Sequence, residues 1–282
     1  MQIGIVGLGL IGGSMARALK AYTNHRVLAF DKNDNVMQAA VSEGTVAGVL
    51  TDEEVPNCDL ILIALYPAAA VAYAKRHRKE IRKDALVMDL CGVKEAGAVP
   101  LTKIAQEEGF SYISAHPMAG TEKSGFWNAR AEMFRGASMI LIPCHTDAEG
   151  KAKTLAESIS KEVGFAKITP STIEEHDRII AYTSQLCHVV SNAYVKSPTA
   201  LLHHGFSAGS YRDLTRVAWL NEDMWTELFL DNCAPLADEI DGLIGRLAAY
   251  RDAIRDGNRE ELHALLKEGR ERKERIDRSS NL

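Results

Sequence analysis

Two short stretches of this chain hold residues whose types and spacing can do chemistry. The first is Gly7-Leu8-Gly9-Leu10-Ile11-Gly12, directly after the apolar run Ile3-Gly4-Ile5-Val6. Between a strand and a helix, such a turn cradles a pyrophosphate. Gly7 permits the tight turn, Gly9 lets the backbone approach the phosphates, and Gly12 lets helix and strand pack closely. The N–H groups of the helix start, from Leu8, Leu10 and Ile11 onward, complete the anion site. A glycine-rich turn without a ligand is the plainer alternative. Asp31 follows at the spacing where an acid meets ribose hydroxyls, roughly 20 residues on. A carboxylate there repels a 2′-phosphate and favours NAD over NADP, with Lys32 next door weakening the preference. The alternative for Asp31 is a surface turn before Asn33-Asp34.

The second stretch is Ser114-Ala115-His116-Pro117-Met118-Ala119-Gly120-Thr121-Glu122. A lone histidine is more often structural than catalytic. This one ends an apolar run, and loops at the carboxyl ends of strands are where open α/β sheets bind ligands. Pro117 restricts His116 to an extended backbone. An imidazole titrates near neutrality and suits removal of an alcohol proton during hydride transfer.

The elements that must position these residues alternate in the first half. Apolar runs at 3–6, 26–30, 60–64, 85–89, 112–114 and 138–142 are separated by helical patterns. That alternation predicts a doubly wound, Rossmann-type α/β domain with a parallel sheet covered on both faces. The pattern changes near Thr169-Pro170-Ser171, where Ser171 or Thr172 can cap a helix carrying Glu174 and Glu175 in its first turn. Beyond it, helical patterns at 173–195, 224–233, 235–255 and 259–277 predict an all-helical domain. The expected division is 1–168 and 169–282. The last amphipathic segment, with Leu262, Leu265, Leu266 and Ile276 among many charges, reads as a solvated face or as a surface for a second subunit.

Composition narrows the classes. The chain has 282 residues, 46% hydrophobic and 25% charged, with net charge −5. These values exclude a disordered chain and a disulfide-knotted miniprotein. The acidic balance gives no broad electrostatic reason to bind nucleic acid. The most apolar run, 60–72, is broken by Tyr66-Pro67 and too short to span a bilayer. Five scattered cysteines without a CxxC pair, and no secretory pattern at the start, lead us to expect reduced thiols and a cytoplasmic location.

Taken in order, these motifs resemble the prephenate dehydrogenase family, which includes arogenate dehydrogenases. The marks are the glycine turn extended by Gly13-Ser14, the segment 89–94, and His116 to Glu122. Further on come Glu175-His176-Asp177, the segment 184–188, Tyr211-Arg212-Asp213-Leu214-Thr215-Arg216, and Met224-Trp225. The resemblance spans essentially the whole chain. It implies a Rossmann-type domain followed by a helical dimerisation domain, hence a homodimer. It also implies oxidative decarboxylation of prephenate by NAD⁺ to 4-hydroxyphenylpyruvate.

Site roles follow from the resemblance residue by residue. His116 matches the catalytic histidine, which accepts the hydrogen bond of the ring hydroxyl. His188 matches a histidine near the substrate side chain; on spacing alone it reads equally as a packed helix residue. Arg216 matches an arginine that grips a carboxylate through two parallel hydrogen bonds. Without the resemblance, Arg212, Asp213 and Arg216 would read as an exposed charged surface. Asp213 is expected to orient Arg216 or to form a gate with Glu122, and Trp225 to anchor packing beside the site. Leu65 and Pro67 match a segment against the nicotinamide ribose; a strand-to-helix turn with proline at the first helical position serves equally. His176-Asp177 is expected to have a structural or hydrogen-bonding role.

Two departures stand out. Many relatives carry serine at the position of Gly92, so that role passes to a backbone N–H, a water or Cys91. Many also carry His and Pro where this chain has Gln185 and Cys187. A keto side chain suits His188 as a hydrogen-bond partner, which favours prephenate over arogenate. The rival readings are a β-hydroxyacid dehydrogenase or pyrroline-carboxylate-type reductase, and a noncatalytic NAD-binding regulator. The first would use Lys196, which lacks the surrounding motif; the second would not need His116, Glu122, His188 and Arg216 together.

Overall fold

The structure is a computed structural model that describes residues 1–121 and 123–280. Eight strands form one sheet in the order β3-β2-β1-β4-β5-β6-β7-β8. The first half follows the winding expected from the apolar runs. β1 (Gln2–Val6) leads through α1 (Leu10–Tyr22) to β2 (Arg26–Phe30), and α2 (Asp34–Ser42) leads to the two-residue β3 (Gly48–Val49). The chain then crosses to the other side of β1. There β4 (Leu60–Ile63), α3 (Pro67–His77), β5 (Leu86–Asp89), α4 (Glu95–Glu108) and β6 (Ser111–Pro117) continue the parallel set. The reversal of strand order between β1 and β4 opens a crevice at their carboxyl ends.

The sheet is mostly parallel, as the Rossmann-type reading expects, with one antiparallel pair. β7 (Ser138–His145) runs antiparallel to β6, and β8 (Lys167–Pro170), after α5 (Lys151–Glu162), lies parallel to β7. A parallel return needs a crossover of a dozen or more residues, usually a helix. Between β6 and β7 the described residues form only the short 3₁₀ turns Phe126–Asn128 and Ala131–Phe134, so the chain turns back beside β6.

Alternate residues of the inner strands feed two apolar layers, which is why these strands read as continuous apolar runs. Ile3, Ile5, Leu60, Leu62 and Met88 face one layer, and Val6, Ile61, Ile63 and Val87 the other. Thr172 caps the next helix by accepting the Glu175 N–H at 3.2 Å. That helix is continuous but not uniform. α6 (Ile173–Ile180) passes into a π-helical turn at Ala181–Leu186 and then into α7 (Cys187–Tyr194). α8 (Gly209–Thr215) and α9 (Glu222–Asp231), the latter capped by Asn221, complete the compact unit Met1–Asn232.

The second compact unit is Cys233–Leu282. It is a helical hairpin of α10 (Cys233–Arg255) and α11 (Arg259–Ser280). Gly257 turns the chain at φ 63°, Asn258 accepts the Glu261 N–H, and the Tyr250 hydroxyl donates to the Leu265 carbonyl across the pair. Among the described residues no helix is long and apolar enough to cross a membrane.

Candidate active site

Four strand ends converge on the crevice. After β1, Gly7 sits at φ 91°, and a Cβ there would stand 2.6 Å from the Ala64 carbonyl oxygen and 2.8 Å from the Leu65 side chain. A Cβ at Gly12 would fall 1.9 Å from the Gly7 carbonyl oxygen, so α1 can close onto the strand only with glycine there. Gly9 is different: nothing lies within 4 Å of its would-be Cβ. It also opens α1 without a side-chain cap, which leaves first-turn N–H groups for an anion. Asp31, just past β2, accepts the Leu8 N–H at 2.7 Å and the Asn33 N–H at 2.9 Å, so its carboxylate is held against the glycine turn. Leu65 closes over Gly7, and Pro67 is the first residue of α3. This open, anion-ready turn with an acid beside it fits a dinucleotide.

Beneath the crevice lies a fully buried ion pair. Lys94 Nζ donates to Asp89 Oδ2 at 2.9 Å and to the Ala115 carbonyl at 2.7 Å. The Tyr112 hydroxyl donates to Asp89 Oδ1 at 2.6 Å, and the Cys91 N–H to Oδ2. Burial alone would raise Asp89, but the Lys94 charge and these bonds outweigh it and hold the carboxyl below its usual range. Lys94 thus pins the residue next to His116.

His116 is half-buried, and a Cβ at Gly92 would stand 3.9 Å from its Nε2. Its Nδ1 lies 2.8 Å from His176 Nε2, and His176 Nδ1 lies 2.7 Å from Asp177 Oδ1. Asp177 also accepts the N–H groups of Lys94 and Glu95, capping α4 from another element. Burial, reinforced by the Lys94 cation and by His176, holds His116 well below the ordinary imidazole value. Burial also lowers His176, against the pull of Asp177. A neutral, half-buried imidazole at a strand end is suited to accept a proton. Cys91 does not stand in for the missing serine: its thiol donates to the Leu65 carbonyl, and burial, then Asp89, push it well above its usual value.

The helical elements bring a second set together. His188 on α7 lies face-near Trp225 of α9, with ring centroids 4.0 Å apart. Its Nδ1 is 2.9 Å from the Ser184 carbonyl, which can only accept, so Nδ1 carries a proton and Nε2 is the free nitrogen. α9 reaches the first set through Leu228, whose side chain stands 3.9 Å from the Gly92 Cβ position. Arg216 opens the 3₁₀ turn Arg216–Ala218, which Asn192 of α7 holds through the Ala218 carbonyl. Its guanidinium has no ion-pair partner among the described residues, and Asp213 lies instead 4.0 Å from Arg212. Glu122 lies outside the described residues. Sequence reasoning noted Gln185 only as a departure from the family pattern, without a role, and missed Asn232. Buried Gln185 donates to the Leu228 carbonyl, and Asn232 donates to Gln185 and to the Asp177 carbonyl, binding α6, the π turn and α9 together.

A doubly wound sheet with an open glycine turn at its switch point and a neutral histidine at a neighbouring strand end defines a nucleotide-dependent oxidoreductase. The family model for the nucleotide-binding domain of prephenate dehydrogenase matches residues 15–168, and that for its dimerization domain matches residues 172–268. The chain belongs to the prephenate dehydrogenase family. It is 33% identical over 267 residues to the cyclohexadienyl dehydrogenase of Zymomonas mobilis, covering 90% of this chain and 88% of that protein. Among solved structures it resembles prephenate dehydrogenase from A. aeolicus in complex with hydroxyphenyl propionate and NAD⁺. That match has 27% identity and a TM-score of 0.81, covering 98% of each chain. Synechocystis arogenate dehydrogenase matches with 26% identity and a TM-score of 0.81, covering 98% of this chain and 100% of that one.

Proposed function

We propose that this protein oxidises and decarboxylates prephenate with NAD⁺ in tyrosine biosynthesis, giving 4-hydroxyphenylpyruvate, CO₂ and NADH. The observation that carries the reading is the neutral His116 imidazole, its Nε2 turned towards Gly92 beside the nucleotide crevice. In this reading residues 1–168 bind the nucleotide through Gly7, Gly9, Gly12, Asp31, Leu65 and Pro67. Residues 169–282 supply substrate contacts through His188, Asp213, Arg216 and Trp225, and the surface between two subunits. The dimerization-domain match supports a homodimer, as do Leu201, Phe206 and Trp219, each more than four-fifths exposed.

Held at Gly7, Gly9, Gly12 and Asp31, NAD⁺ would supply the acceptor for the hydride of the carbinol carbon. His116 Nε2 takes the hydroxyl proton as the C–O bond gains double-bond character. Arg216 grips a substrate carboxylate as a planar fork. Loss of the ring carboxylate as CO₂ sends its electron pair into the ring, and the phenolate recovers a proton from His116, which ends the cycle neutral. Aromatisation supplies the driving force, so the protein mainly orients the substrate and holds that proton.

A second reading, arogenate as substrate, is favoured by one bond. With its Nδ1 proton committed to Ser184, neutral His188 offers Nε2 only as an acceptor. An acceptor suits the ammonium of arogenate, whereas protonated His188 would donate to the ketone of prephenate. NADH formation should be followed with both substrates, each with NAD⁺ and NADP⁺, in wild type and His116→Asn. Prephenate with NAD⁺ turning over fastest, and a His116→Asn variant at least 100-fold slower, are expected. Arogenate turning over faster would reverse the side-chain assignment, and no turnover with either would overturn the function.

A further inference from the structure

His116 and His176 lie sixty residues apart in sequence, yet their ring nitrogens meet at 2.8 Å. The protons in this chain of contacts can be placed one by one. The Asp177 carboxylate accepts from the Lys94 and Glu95 N–H groups and lies 2.7 Å from His176 Nδ1. A carboxylate cannot donate, so His176 Nδ1 carries a proton. Neutral His176 then presents a lone pair at Nε2, and His116 can fill the 2.8 Å contact only by donating from Nδ1. His116 is left with its lone pair on Nε2, beside Gly92. Burial and the Lys94 cation disfavour a charged His176, the one state that would reverse the order and place the His116 proton on Nε2. The charged and titratable groups around the pair are Asp177 and His176 from α6, Asp89 at the end of β5, and Lys94 at the start of α4.

We propose that His176 and Asp177 are positioning residues that lock His116 in its Nδ1–H form, so that Nε2 always meets the substrate hydroxyl as a base. This rests on the reading of His116 as proton acceptor and adds to it what keeps that acceptor in the active tautomer. As the substrate O–H bond breaks and the Nε2–H bond forms, His116 becomes an imidazolium. Its positive charge is then shared along the Nδ1–H bond to His176 and met by the Asp177 carboxylate. No proton needs to leave the chain of three groups, and the same proton returns to the product.

Two measurements on the full-length protein saturated with NAD⁺ test this. The first is ¹⁵N NMR of histidine-labelled wild type, with His116 assigned by the signal lost in His116→Asn. A protonated Nδ1 and a bare Nε2 are expected; a proton resting on Nε2 would overturn the proposal without any variant at His176. The second is steady-state turnover. In His176→Phe, kcat should fall about 100-fold or more with KM within about threefold, the pattern of a wrong tautomer rather than lost binding. His176→Gln, whose amide oxygen can accept the Nδ1–H, should recover at least tenfold over His176→Phe. Equal rates in the two variants, or a His176→Phe rate within threefold of wild type, would sink the idea. If His116→Asn itself stays active, the proton-acceptor reading fails first. If His116→Asn is dead while His176→Phe is active, the positioning role alone fails.

Discussion

At the residue scale, Lys94 does two things at once. Its ammonium neutralises Asp89 in a place without water, and it holds the Ala115 carbonyl one residue before His116. A buried pair adds little net stability, but breaking one strands a charge, at a cost of ~3–5 kcal/mol. Lys94→Met should therefore lower the free energy of unfolding by about that amount in urea titrations. The double variant Lys94→Met/Asp89→Leu should recover much of the loss, because neither charge remains. A Lys94→Met variant as stable as wild type would show that Asp89 is already neutral. None of this was visible in the sequence: Asp89 and Lys94 lay inside a recognised motif, but spacing cannot say that both side chains turn inward. The same holds for His176, whose partner sits on a strand remote in sequence.

At the element scale, the glycine turn separates fit from folding. Gly12→Ala puts a methyl group into the Gly7 carbonyl and should destabilise the whole β1–α1 unit. Gly9→Ala meets nothing, at a φ of −70° that alanine accepts. It should leave the melting temperature within a degree or two and weaken nucleotide binding at least tenfold, by about 1.4 kcal/mol. Calorimetric titration with NAD⁺ checks both, and undiminished affinity in Gly9→Ala would remove the phosphates from that turn.

The inner strands were readable because burial on both faces leaves only apolar residues, as in Leu60-Ile61-Leu62-Ile63. β3 and β8 were not: two residues in one case and a half-polar Lys-Ile-Thr-Pro in the other carry no strand signal of their own. The direction of β7 was legible only indirectly, through the lack of a helical pattern between His116 and Ser138. The long helices stood out by period, but the π turn within one of them leaves no trace in a hydrophobic pattern.

At the scale of the whole molecule, buried imidazoles link stability to pH. Burial, the largest cause in each case, lowers His77, His116 and His176. The unfolded chain takes up protons at these histidines from about pH 6.5 downward, while the native state does not. Stability is therefore complete above that value and falls as pH drops below it, by ~1.4 kcal/mol per pH unit for each histidine that stays unprotonated. Asp59 and Asp89, held below their usual range, add a further loss nearer pH 4. Urea midpoints at pH 7.5 and 5.5 should differ accordingly. Equal midpoints would mean that these rings are charged in the native protein.

The π turn has a consequence for phase. His176 and His188 stand twelve residues apart, which on a regular α-helix would point them about 120° away from each other. A π bulge absorbs roughly one surplus residue, so the interval behaves as eleven and the divergence shrinks to about 20°. The bulge thus acts as a phase corrector, letting one continuous helix present both histidines along a single line. Deleting the exposed Thr183 should remove the bulge and leave eleven residues of regular helix, so that the two histidines stay within about 20° of each other. Activity should then persist within about tenfold of wild type, and a deletion variant that is folded by circular dichroism yet inactive would refute that geometry.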